Sequence, residues 1–265
     1  MDFRVLVYLY VLAFILYYGL VDICFVERHI MSDWIHSTTC YHCNTPLQPY
    51  RTVISAPALT VEFCGGDLPV LTSSTFVICP ACGLVAQSPR MSDERIAQYY
   101  SSGLYRQTLG ISQEDMDADE KRRALDVAVW LDKRGIIPNN HADIGASRGY
   151  LLQEVGAEIQ AAYDLNPRYS QIDADNIKDN RFDLVTSIHV LEHTINPMRD
   201  FEWYKSLSTQ YVLIEVPGVN ATGGALRFAH LWYFPPKVLA DMMVKCGMEI
   251  VEIYESSNTR ILAKI

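Results

Sequence analysis

Beyond residue 138 the chain alternates short apolar runs with stretches of helical periodicity. That is the pattern of a mostly parallel sheet covered by helices. His141–Ile144, Ala161–Tyr163, Phe182–Ile188 and Tyr211–Val216 are the expected strands, with a helix over Tyr150–Val155. Pro235-Pro236 opens a further helix with Val238, Leu239, Met242, Met243 and Cys246 on one face, and Gly247 closes it. Met248–Tyr254 and Arg260–Ile265 complete the region as a closing pair of strands. Residues 91–138 predict a helical connector. Ser92 caps SDERIAQYY, an acidic stretch from Gln113 to Lys121 follows, and Lys121–Lys133 shows an apolar stripe of Leu125, Ala128, Val129 and Leu131. Tyr99, Tyr100 and Tyr105 are expected to pack at a domain junction.

Upstream the pattern changes to strand-like runs, Thr52–Phe63 and Leu68–Cys79, separated by Gly65-Gly66-Asp67. They lie between two CxxC pairs, Cys40-Tyr-His-Cys43 and Cys79-Pro-Ala-Cys82. Two such knuckles can present four thiolates to one tetrahedral Zn²⁺, and a β-ribbon between them accounts for the long spacing. Two disulfides or reduced structural thiols are the competing readings. Four ligands saturate structural zinc, so the role expected of this 31–90 module is folding, and the residues left for chemistry lie elsewhere. Cys64 and Cys246 are read as buried apolar side chains.

The first thirty residues are different again. From Val5 to Val21 no side chain is charged, and past Asp22 the apolar stretch continues to Val26. Residues 5–26 are read as a single-pass membrane anchor, with a start at Met31 as the competing reading. The chain of 265 residues carries a formal charge of −9, which argues against bulk nucleic-acid binding. Reduced cysteines and the cofactor inferred next place the catalytic part in the cytoplasm.

Ligands of open α/β sheets sit beyond the carboxyl ends of the strands. Gly145 and Gly149 fall in the turn after the first strand, where the missing side chains let a ligand approach the backbone, and Asp164 ends the next strand, suited to ribose hydroxyls. Asp143 precedes the first glycine and would repel a pyrophosphate. It suits a ligand with a positive centre and an ammonium group, as in S-adenosyl-L-methionine.

From about residue 120 onward the chain resembles the class I S-adenosylmethionine-dependent methyltransferases. DIGASRGYLL resembles their first motif, with Ser147 at the usual central glycine, and FDLVTSIHVLEHTINP, IEVPG and FAHLWYFPPKVLADMMVKCGM resemble the later ones. The resemblance implies an α/β, Rossmann-like doubly wound sheet over residues 139–265, its last strand antiparallel, preceded by a small β zinc ribbon. It implies that Asp143, Gly145, Ala146, Gly149, Asp164, Asp173, Ala174 and His189 form the cofactor site. Zinc knuckles followed by such a domain are similar to the first two parts of the sugar C-methyltransferases, which points to a sugar or nucleotide-sugar among small-molecule and glycan-precursor substrates.

Methyl transfer needs little beyond positioning and a base for an oxygen or carbon nucleophile, and histidine suits that work. His230, His193 and Glu192 are the candidates. His230 matches the histidine of an EH-x-x-YF stretch in the sugar enzymes, although Ala229 stands at the glutamate. Packing is its competing role. His189, Glu192, His193 and His230 also admit a metal-assisted O-methyltransferase, and a non-catalytic zinc-ribbon adaptor is a third reading. Arg106 and Arg227 are candidates for meeting an anionic substrate.

Overall fold

The structure is a computed structural model and describes residues 34–54, 60–63, 66–69, 73–101, 112–166, 180–218 and 230–265. The first seven strands are β1 (Trp34–Ile35), β2 (Gln48–Ile54), β3 (Thr60–Phe63), β4 (Gly66–Pro69), β5 (Ser73–Ile78), β6 (Val85–Gln87) and β7 (Arg90–Met91). They are antiparallel throughout: β1 pairs with β7, β2 with β5, β5 with β6, and β3 with β4. The two runs expected between the knuckles are therefore four strands, with β2 starting at Gln48.

Two helices follow, α1 (Asp93–Ser101) and α2 (Gln113–Asp132). Ser92 starts α1, its Oγ accepting from Arg95 N at 3.4 Å. Ser112 starts α2 in the same way, accepting from Asp115 N at 3.1 Å. The acidic stretch is thus the first two turns of α2. The buried stripe of this helix is Ala124, Val127, Trp130 and Leu131, whereas Leu125 and Val129 are exposed. Both stripes have helical spacing. The deciding side chain is Trp130, the largest on the helix, which docks with Val127 and Leu131 against the sheet. Arg134 stacks on its outer face, with the guanidinium 3.5 Å from the ring centre.

The remaining elements are β8 (Asn140–Ile144), α3 (Tyr150–Val155), β9 (Ile159–Tyr163), β10 (Phe182–Ile188), α4 (Pro197–Leu207), β11 (Ser208–Pro217), β12 (Trp232–Tyr233), α5 (Pro236–Lys245), β13 (Glu249–Glu255) and β14 (Asn258–Lys264). Six strands form one sheet in the order β13-β14-β11-β10-β8-β9. β9, β8, β10 and β11 are mutually parallel, and β14 runs antiparallel to both of its neighbours. Strand alternation sorts the core onto two faces. Leu184, Leu213 and Leu262 meet α2 and α3, while Val185, Ile214, Ile261 and Ala263 meet Phe201, Leu239, Met242 and Met243 of α4 and α5. Burying each such side chain contributes roughly 1.5–3 kcal/mol.

β12 does not join this sheet. Trp232 pairs with Ala86 and Tyr233 with Val85, which makes β12 an edge of the ribbon sheet, in the order β12-β6-β5-β2. Among the described residues no helix is long and apolar enough to cross a membrane, and residues 5–26 lie outside them.

Candidate active site

The strand order reverses between β8 and β10, and the crevice opens there at their carboxyl ends. Asp143, next to last in β8, is almost buried, 5% exposed. The loop after it returns sharply, with Gly145 N and Ala146 N donating to Tyr163 O at 2.7 and 3.1 Å. Gly145 has φ +77°, and a Cβ there would lie 2.2 Å from Val190 Cγ2. Glycine is required on both counts. Ser147, at the usual glycine of the motif, also has positive φ (+49°). Its N–H donates to Asp164 Oδ2 at 2.9 Å, and its hydroxyl donates to Glu120 Oε2 at 2.9 Å. Asp164 Oδ1 accepts from Asn166 N at 2.8 Å, so each oxygen of this carboxylate keeps a lone pair for a ligand hydroxyl.

Across the crevice, His189 (φ +55°) follows the end of β10 and the chain enters a 3₁₀ turn, Leu191–His193. Glu192 is 1% exposed, and neither of its oxygens has a hydrogen-bond partner among the described residues. His189 lies between two carboxylates, Nδ1 3.3 Å from Glu192 Oε1 and Nε2 3.3 Å from Glu215 Oε1. Glu215 is tied in turn to Arg260, whose Nε donates at 2.6 Å. His193 Nε2 stands 3.8 Å from Glu192 Oε1, and its Nδ1 shares a hydrogen bond with Tyr100 Oη at 2.7 Å. The rings of His193 and His230 meet edge to face with centres 4.8 Å apart. Ligand atoms of Glu192, His193 and His230 all lie within 4.8 Å of one another.

Burial tends to raise the Glu192 carboxyl. The nearby His193, His189 and His230 outweigh it and hold the group at about 2. His189 behaves conversely, since burial would lower it but Glu192 and Glu215 raise it. At Asp143 burial prevails: the carboxyl is pushed up to about 7, opposed by the Thr186 hydrogen bond and reinforced by the charge of Asp164.

A third cluster holds the four cysteines. Sγ–Sγ distances are 3.6 Å for Cys40–Cys82, 3.5 Å for Cys43–Cys79 and 3.9 Å for Cys43–Cys82. A tetrahedral ion at ~2.3 Å from each sulfur would set them ~3.8 Å apart. The two knuckles are built alike. Asn44 N donates to Cys40 O and Gly83 N to Cys79 O, both at 2.9 Å, with Asn44 and Gly83 in the left-handed region.

A profile of the methyltransferase domain matches residues 116–253, just over half of the 265-residue chain. The chain belongs to the methyltransferase-domain family. No relative is found among curated proteins. Among solved structures, the magnesium protoporphyrin IX methyltransferase of Synechocystis PCC 6803, with bound SAH, is 14% identical over 65% of this chain and 99% of its own, TM-score 0.48. An S-adenosylmethionine-dependent methyltransferase from Clostridium acetobutylicum ATCC 824 is 9% identical over 61% and 99%, TM-score 0.47. An O-methyltransferase family protein from Burkholderia thailandensis is 12% identical over 54% and 55%, TM-score 0.41.

The enzyme class expected from the motifs, an S-adenosylmethionine-dependent methyltransferase, therefore stands, as does the fold with its antiparallel β14. In this methyltransferase Asp143, Gly145, Ala146, Gly149 and Asp164 surround one loop, and Glu192, His193 and His230 face each other, with His189 beside Glu192. Asp173, Ala174, Arg106, Arg227, Tyr105 and Cys64 lie outside the described residues. Sequence reasoning missed Tyr100 as a partner of His193, Glu215 and Arg260 behind His189, and Tyr41. The Tyr41 hydroxyl bonds to Asn196 Oδ1 and accepts from Met198 N at 3.4 Å. The cluster of tyrosines in residues 99–105 was the available signal for Tyr100. Nothing local marked the other three.

Proposed function

We propose that the protein transfers the methyl group of S-adenosylmethionine to a small hydroxylated acceptor, with a sugar or nucleotide-sugar as the favoured class. Asp143, the Gly145–Gly149 loop and Asp164 would hold the donor. His193, backed by Glu192 and with His230 against its ring, would take the acceptor proton. The observation that carries this reading is the contact of the two ends. Gly145 of the donor loop abuts Val190, only three residues before His193, so a methyl donor on the loop would face the histidines.

The donor, when bound, supplies a sulfonium methyl for in-line displacement. The protein's own contributions are charge and position. The Asp143 carboxylate suits an ammonium group, and the lone pairs left on Asp164 suit a ribose diol. Glu192 lies at the Nε2 side of His193 and Tyr100 at its Nδ1 side, which restrains the ring where a proton must be accepted. Calorimetry with S-adenosylmethionine and S-adenosylhomocysteine tests donor binding. Transfer of labelled methyl to a panel of nucleotide-linked sugars tests the acceptor. Absence of donor binding at high protein concentration would overturn the reading.

A second reading keeps the donor but adds a divalent ion on Glu192, His193 and His230. It is favoured by the mutual approach of their ligand atoms and by the two Glu192 oxygens, which lack hydrogen bonds among the described residues. Methyl transfer abolished by EDTA and restored by Mg²⁺ would select it. We also propose that Cys40, Cys43, Cys79 and Cys82 bind a structural Zn²⁺, supported by three Sγ–Sγ separations of 3.5, 3.6 and 3.9 Å and by the matched knuckles.

A further inference from the structure

A chain of three polar side chains lies under the donor loop, inside an otherwise apolar layer. His141 and Asp143 alternate along β8 and so point to the same face of the sheet. β10 places Thr186 directly opposite Asp143 and Leu184 opposite His141. All four therefore face α2, where Leu184 packs among Val127, Trp130 and Leu131. His141 and Thr186 are fully buried. Thr186 Oγ1 donates to Asp143 Oδ1 at 2.6 Å, and His141 Nε2 stands 2.7 Å from the same hydroxyl.

The direction of this chain follows from proton counting. A threonine hydroxyl has one proton. With that proton given to Asp143, Thr186 can only accept from His141, which must carry its hydrogen on Nε2. His141 is then neutral, as its complete burial requires, and its Nδ1 has no hydrogen-bond partner among the described residues. The hydroxyl has a competing acceptor, Ala142 O at 3.5 Å. Donation from His141 occupies a lone pair and turns the O–H toward the carboxylate. Packing alone does not explain the pair, because two apolar side chains would fill the layer without burying an imidazole nitrogen that bonds to nothing.

We infer that His141 and Thr186 are positioning residues for donor binding, fixing Asp143 Oδ1 from below so that Oδ2 is aimed at the cationic amino group of the ligand. This rests on the reading of Asp143 as the donor's carboxylate. The groups facing Asp143 are Asp164 from the loop after β9, Thr186 from β10 and the neutral His141. Burial puts the Asp143 carboxyl at about 7 and the Thr186 bond lowers it. Affinity for an ammonium ligand therefore rises with pH through that region, and loss of the hydroxyl moves the rise to higher pH.

The test uses the full chain and S-adenosylhomocysteine, titrated by calorimetry from pH 6 to pH 8 into wild type, T186V, T186S and H141M. T186V is expected to weaken binding by about 10-fold at pH 7, since one hydrogen bond to a charged group is worth roughly that factor, and by more at pH 6. T186S should restore affinity and midpoint. H141M, which keeps the hydroxyl and removes the donor behind it, should show a smaller loss with the same shift, and it carries the test if T186V does not fold. Wild-type affinity in the variants, or a loss equal at every pH, overturns the inference. If wild type itself binds neither S-adenosylhomocysteine nor S-adenosylmethionine, the donor reading beneath it is the one that fails.

Discussion

The end of the crevice proposed to hold the donor is one strand–turn–helix, with Asp143 to Gly149 contiguous and Asp164 just after the adjacent strand. The end proposed for the acceptor is assembled from remote pieces. Tyr100 and His193 are 93 positions apart, and Tyr41 and Asn196 are 155 apart. Gln87 N of the ribbon donates to Leu231 O at 2.9 Å, and Leu231 N donates to Glu192 O at 2.7 Å, so ribbon backbone, His230 segment and the Leu191–His193 turn form one hydrogen-bonded series. A site made within one local motif depends mainly on its own turn. A site made between modules depends on each module being folded.

Breaking the ribbon should separate the two ends most widely. C40S with C79S is expected to abolish zinc binding, measured as metal content per chain, and to remove a contribution of about 10 kcal/mol from the ribbon. Affinity for S-adenosylhomocysteine should remain within a few-fold, because no donor-loop residue lies in the ribbon. Joint loss of both would show that the ends are a single unit.

G145A attacks the opposite end. Its Cβ would collide with Val190 and its backbone would be strained, a combined cost of about 3 kcal/mol by thermal unfolding, with donor binding lost. E192Q and H193A should leave donor affinity unchanged and lower turnover by about 10²–10⁴-fold. E192Q also tests the electrostatics. The histidines outweigh burial and bring Glu192 from its ordinary 4.5 to about 2, so its stabilising contribution is present above about pH 4.5 and is lost as pH falls toward 2. The variant should flatten that part of the acid-unfolding curve. Smaller still is W232F, which deletes the bond from Trp232 Nε1 to Thr194 O at 2.7 Å; about 1 kcal/mol is expected. L125Q sharpens the fold comparison from below. Leu125 lies 52% exposed, off the docking stripe of α2, and its replacement should change stability by no more than about 0.5 kcal/mol.

The difference between the ends also explains how much was legible in advance. Sheet strands declared themselves through apolar runs, and the tight turn after β8 through an acid and two glycines at a strand end, because turn geometry and strand burial are local requirements. The stripe of α2 was misjudged because two sets of apolar positions share helical spacing, and only docking of Trp130 against Leu184, Leu213 and Leu262 chooses between them. Thr186 and His141 read as ordinary strand residues. Their link to Asp143 exists only once β8 and β10 are in register.

The sequence by itself determined the α/β class, the two cysteine knuckles and the tight glycine turn after β8, all set by backbone periodicity and turn conformation within short windows. Only the tertiary structure decided that β12 leaves the large sheet to extend the ribbon, that Tyr100 meets His193, and that Glu192 is buried among three histidines. Those outcomes depend on strand pairing and on which distant surfaces exclude water together, and no local window of residues encodes either.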